Sequence, residues 1–404
     1  MAHAHPTYVL LLCLCLGACP QVFAGQQKAE RKPLPVPLLP AEEAWNVSLP
    51  SAPAAQGALD ESRAYVPLES GQVVAISRET GVIEWSISLA GSWAPLAVDG
   101  VLYVAGSAAI QAVRSSSGAL IWRTALDAEL ITAPAAQADR IFLLAKPNQL
   151  LALRTSDGSE IWRHALEAPT DSPAMVVNAT GVFISSGNSL IRYAASDGHL
   201  EWKRDLAGML SRPESAGDRV FVGSTDNNFY ALDATSGRLA YRSRAGGDVV
   251  GAAASDQFVY VASLDNLLRA LRRGSGNQVW KRNLSTRTIA PPSTFGGIVL
   301  VTGNEPTLTT LDASTGTPIA TFSVAADLQG VPLVDTTPEP FRVAIVVVTR
   351  DARAMGLRPT GMMFRELPLI PIQTLPGRPL SREPLALPNA QTPTRNSQIT
   401  NPER

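Results

Sequence analysis

Chemistry needs a nucleophile, an acid–base pair or a ligand cluster, and this chain offers few of them. Its four histidines are His3, His5, His164 and His199. The first two fall in an apolar N-terminal leader. His164 and His199 share no HxH or HxxxH spacing, so they read as surface residues near outer strands or turns and not as metal ligands. All three cysteines, Cys13, Cys15 and Cys19, lie in the leader. The folded part therefore has no disulfide, zinc-thiolate site or cysteine nucleophile. Asp226-Asn227-Asn228 looks like part of a calcium loop but lacks the downstream Gly and Glu; it reads as a turn. No Gly-x-Ser-x-Gly elbow occurs. The charge balance, 34 basic against 35 acidic side chains, gives no support to nucleic-acid binding or to an electrostatic membrane surface.

What must position any site is a repeat. A Gly followed four residues later by an aromatic recurs as Gly81/Trp85, Gly118/Trp122, Gly158/Trp162, Gly198/Trp202, Gly237/Tyr241 and Gly276/Trp280. Gly316/Ala320 keeps the Gly and loses the ring. The aromatic spacings are 37, 40, 40, 39 and 39, and Trp45 lies 40 residues before Trp85. A second marker agrees in phase: Pro53, Pro95, Pro134, Pro173, Pro213, Pro292 and Pro332 each precede an apolar strand, with Ala252 in the missing place. Residues 218–241 show the unit most clearly as strand, turn, strand, turn, strand. A period near 40 with about four strands per unit is a propeller signature, because one small sheet cannot bury both faces alone.

Ala231-Leu232-Asp233-Ala234-Thr235-Ser236-Gly237, with Tyr241 four residues on, resembles the PQQ-like, or quinoprotein-type, propeller repeat. The resemblance covers about residues 45–365. It implies an all-β, eight-bladed propeller of four-stranded antiparallel blades, with seven blades as the alternative. It also implies that Trp45, Trp85, Trp122, Trp162, Trp202, Tyr241 and Trp280 are structural and dock between blades. The family holds quinone-dependent dehydrogenases and non-enzymatic scaffolds alike. The enzymes use calcium held by Glu, Asn and Asp, a catalytic Asp and often a vicinal Cys pair. They also carry long insertions, whereas these connections are short and the folded part has no Cys. The expectation is a non-enzymatic protein-interaction scaffold of the bacterial envelope, acting in outer-membrane protein assembly. No cofactor, metal or catalytic residue is expected. A quinone-dependent dehydrogenase or a small-ligand-binding propeller is the alternative.

The ends read differently. Residues 1–24 form a signal peptide, with an apolar core at Val9–Ala18. Two cleavage readings compete. Leu16-Gly17-Ala18-Cys19 resembles a lipoprotein box, which would lipidate Cys19; Val22-Phe23-Ala24 fits cleavage before Gly25. Either one exports the chain, to the periplasm or to the inner face of the outer membrane. Residues 25–43 read as a Pro-rich linker, 44–370 as the propeller, and 371–404 as a disordered Pro-rich tail. Trp45 sits in an orphan outer strand. That strand is expected to close the ring by completing the last blade, with the strand near Arg365 as its competitor.

Individuality remains only in the blade-to-blade loops, which gather at one mouth. They carry Trp93, Glu129, Asp171, Met209, Arg212, Asp248, Arg287 and Asp327. Trp and Arg dominate binding energy at interfaces. Trp93, Asp171, Arg212 and Arg287 are therefore the expected contacts of an envelope protein partner, with the chain a monomer inside a larger complex.

Overall fold

Each repeat folds into one small antiparallel sheet, and the reason is visible in its sequence. In blade 5, Arg219–Gly223 and Asn228–Asp233 are apolar runs buried on both faces, and Leu239–Arg244 is polar and half exposed. The computed structural model describes residues 38–89, 93–166, 174–285, 287–288, 290–303, 305–335 and 342–360 of the 404. Among these residues there are 32 strands and no helix, arranged as eight four-stranded antiparallel sheets. The chain is an eight-bladed β-propeller; the seven-bladed alternative is excluded. Blades 1 to 7 span 58–88, 96–125, 135–165, 174–205, 214–244, 249–283 and 293–323. Within a blade, strands run in order from a short inner strand to the outer one.

Blade 8 is built from both ends of the ring. Leu333–Val334, Ile345–Thr349 and Arg353–Pro359 supply its first three strands, and Ala41–Ser48 supplies the outer one. The closing strand therefore takes in residues 41–43, and Leu38 and Leu39 ahead of it are fully buried. The competing strand at Arg365 lies outside the described residues, as do the leader and the C-terminal tail.

Two details show that the N-terminal strand occupies a true repeat position. In blades 1 to 7 the pairing of third and outer strands slips by one residue just before the aromatic position, as between Ala231 and Leu232, opposite Tyr241 and Leu239. In blade 8 the same slip falls between Glu43 and Trp45. Such a bulge adds local twist and re-aims a side chain; here it turns the ring toward the next blade. Second, the residue after each outer strand donates its N–H to the turn between second and third strands. Ala245 N donates to Asn227 O, and Leu49 N to Ala352 O, both at 2.8 Å.

The aromatic series is the seam between blades. Trp202 Nε1 donates to Ala234 O in the next blade at 3.1 Å. Trp45, Trp85, Trp122 and Trp280 make the same bond to Arg78, Ser115, Thr155 and Ala313, and the Tyr241 hydroxyl makes it to Arg273 O. The conserved geometry explains the Gly of the marker. Gly237 has φ +63°, and a Cβ there would lie 2.6 Å from the Trp202 ring. Asp233 holds this turn by accepting from Ser236 N at 2.8 Å.

Two seams depart from the pattern. Trp162 Nε1 is buried without a hydrogen-bond partner. Its expected acceptor, Ala195 O, is taken by Arg140 Nη1 at 2.5 Å. At the seam of blades 7 and 8 the ring is missing, and Leu38 and Leu39 pack in one cluster with Ala320, Leu300 and Leu357. The entering chain supplies the apolar volume that Ala320 lacks.

Candidate binding mouth and axial channel

The connections from each outer strand to the next inner strand share one face of the ring with the turns between second and third strands. The donor pattern just described fixes that side. Arg212 and Arg287 lie on two of these connections, entering blades 5 and 7, and both are exposed. Trp93 lies on the connection into blade 2, but it is only half exposed. Its backbone N–H donates to Ala105 O at 3.2 Å, and its side chain packs on the cluster of Tyr103, Ile110 and Leu130. Much of that ring is thus used to join blades 2 and 3. Asp171 and Cys19 lie outside the described residues. Elsewhere on the rim Lys146 and Glu129 form an exposed pair at 2.9 Å.

The eight inner strands line the axis with small and apolar side chains. The strand Val249–Ala254 reads VVGAAA, Leu96–Val98 reads LAV and Ala135–Gln137 reads AAQ. Across all eight inner strands a single residue is ionisable: Glu214, in Glu214–Ala216. It opens on a cavity of about 540 Å³ whose wall also holds Arg212, Gln56, Pro292, Thr294 and Val331. Burial pushes the Glu214 carboxyl up to about 7, against the partial pull of the Arg212 charge. The two do not form an ion pair in the structure. Sequence reasoning missed Glu214. The signal was present, since it directly follows the Pro213 marker, where every other blade has an apolar or small polar residue.

The described wall of this cavity does not offer the ligand set of a calcium-bound quinone. Calcium takes six to eight oxygens, several of them carboxylate, and the cavity wall offers one carboxyl, itself held toward its neutral form. Among the described residues no group of three or more His, Cys, Asp or Glu side chains converges.

The fold and its seams define a class: a PQQ-like β-propeller with short connections and a small-residue axial channel. Within that class the chain belongs to the family described as outer membrane protein assembly factor BamB, whose profile matches residues 40–109, 106–212, 187–288 and 264–359. No curated protein sequence matches it. Among solved structures it is similar to BamB from Moraxella catarrhalis, with TM-score 0.61, 16% identity, and cover of 79% of this chain and 99% of that one. The computationally designed Ika8 protein gives TM-score 0.67 at 14% identity, covering 78% and 99%. The quinohemoprotein alcohol dehydrogenase ADHIIG from Pseudomonas putida HK5 gives 0.60 at 12%, covering 86% and 79%. At these identities the likeness is one of fold.

Proposed function

We propose that this protein is a non-enzymatic scaffold of the bacterial envelope that holds a protein partner during outer-membrane protein assembly. The observation that carries the reading is how the chain is allocated. The repeat positions are used by strands, seams and turns, and family membership links this architecture to an assembly factor. The cavity wall supports it, being mostly Ala, Pro and Val, with Gln56, Arg212, Ser293 and Thr294 beside one carboxyl. The residues free to differ between blades are on the connecting loops, where Arg212 and Arg287 stand exposed on one face. Exposed Arg on a rim of short, well-anchored loops suits protein docking. The leader and Cys19 add the expectation of an exported chain held at the inner face of the outer membrane.

The test is affinity capture from envelope extracts with the parent and with an Arg212→Glu/Arg287→Glu variant, after their melting curves have been matched. The reading expects a discrete envelope protein with the parent and its loss with the variant. Retrieval of the same proteins by a fully folded variant would move the docking surface off this mouth.

A further inference from the structure

A net charge of −1 hides a segregated ring edge. The residue after the aromatic position is Arg123, Arg163, Lys203, Arg242 and Lys281 in blades 2 to 6. In blades 1, 7 and 8 it is Ser86, Thr321 and Asn46. The segregation is sharpest on blades 5 and 6. Their outer strands, Leu239–Arg244 and Gln278–Asn283, carry Arg242, Arg244, Lys281 and Arg282 and no carboxylate. Arg242, Arg244 and Lys281 are exposed and make no ion pair among the described residues. Arg282 is also exposed, and it donates only to neutral acceptors, Gly316 O at 2.8 Å and Thr315 O at 3.0 Å. Its charge is therefore not cancelled. Across the ring, the outer strands of blades 8 and 1 carry Glu42, Glu43 and Glu84.

The same basic edge exposes aliphatic side chains. Leu239 is 51% exposed and Val279 40%, each on the strand that carries the cations. In blade 2, Leu120 and Ile121 flank Trp122 in the same way, at 60% and 45%. Cations on long flexible side chains, with aliphatic groups set among them, match an interfacial membrane element: charge meets headgroups while the aliphatic groups enter the acyl boundary. The cavity at Glu214 includes no residue of these two outer strands. A fluid array of anionic headgroups can adjust to cations spread along two adjacent strands.

We propose that the outer edge of blades 5 and 6 is a docking surface for an anionic phospholipid bilayer. The ring then lies edge-on to the membrane, and the mouth bearing Arg212 and Arg287 opens to the side, clear of the lipid.

The experiment is vesicle flotation with the full chain carrying Cys19→Ser, which keeps acylation out of the measurement. Vesicles of phosphatidylcholine alone are compared with vesicles in which about one third is phosphatidylglycerol. Binding is expected only to the anionic vesicles, and it should weaken as salt shortens the screening length. Arg242→Gln/Lys281→Gln should lower the partition about 25-fold, from about fivefold per cation, and Arg242→Glu/Lys281→Glu should lower it further. The control is Arg114→Glu/Arg154→Glu, which makes the same net charge change on the turn rim of blades 2 and 3; it should float as the parent does. Circular dichroism melts confirm that each variant is folded. Failure of the parent to bind anionic vesicles overturns the proposal. So does equal loss with the control pair, which would reduce the effect to net charge. Retention on immobilised polyglutamate without vesicle binding also overturns it, and assigns the edge to an acidic polypeptide.

Discussion

Replacing Trp by Phe at two equivalent seams should give different costs, because one indole N–H has a partner and the other does not. Trp202 Nε1 donates to Ala234 O. Phe at 202 loses that bond and leaves a carbonyl in the seam without its donor. A lost bond with a buried group left unmet costs about 1–3 kcal/mol. Trp162 Nε1 is buried without a partner because Arg140 holds Ala195 O at 2.5 Å. Phe at 162 removes an unsatisfied donor and breaks no bond. The smaller ring costs similar packing at both sites, since each indole sits over a marker glycine, Gly237 or Gly198. In the difference that packing term cancels. Trp162→Phe should therefore be about 2 kcal/mol less harmful than Trp202→Phe. In a ring of this size that separates the melting midpoints by about 4 °C. The assay is differential scanning calorimetry of both variants with and without Arg140→Ala. Freeing Ala195 O in the Arg140→Ala background should make Trp162→Phe costlier, a coupling that a double-mutant cycle isolates. Equal midpoints for the two Phe variants, or a cycle with no coupling, would refute the assignment of the vacant donor to Arg140.

Three further outcomes follow from the same contacts. Glu214→Gln should leave stability unchanged in acid and raise it above neutrality. The folded carboxyl is raised from 4.5 to about 7, so the wild type loses stability as pH climbs through that window and keeps the deficit above it. At about 1.4 kcal/mol per tenfold change in acidity the ceiling is about 3 kcal/mol, readable as a pH series of urea midpoints; a flat difference would contradict the burial of this group. Removing residues 1–49 strips Trp45, Leu38 and Leu39 and leaves Arg353–Pro359 as an open edge. Light scattering should show association and the melt should fall; a monomer of unchanged stability would break the closure. Arg163→Ala should cost under about 1 kcal/mol, because its pairs with Asp127 and Glu160 at 2.7 Å are at the surface, and a larger drop in the calorimetric midpoint would mark that network as structural.

The fold was legible because its constraints repeat. A bulge recurs in all eight blades, and a positive-φ glycine with a ring docking on it recurs at seven seams, so two markers of one period located every blade and the closing strand. The exceptions were legible only in part. The loss of the ring at Ala320 was visible, but its compensation by Leu38 and Leu39 joins residues some 280 positions apart, which no local pattern records. The orphaned Trp162 N–H depends on where one Arg140 side chain reaches. The site was harder still. Trp93 looked like a free rim aromatic, yet it packs on blade 2, and burial is set by neighbours that the loop sequence does not name. Glu214 and the basic edge were written in the sequence as departures from the repeat at a fixed phase. The overall charge balance concealed the edge, because net charge says nothing about how charge is distributed around a ring.

The central claim is that function sits on the mouth formed by the blade-to-blade loops. Its most direct test is photo-crosslinking in cells from a photoreactive residue at position 212, compared with one at Ser117, which lies exposed on the opposite rim. The account predicts a discrete protein adduct from 212, at constant mass, that is absent from 117. Matching adducts from both positions, or adducts from 117 alone, would contradict it.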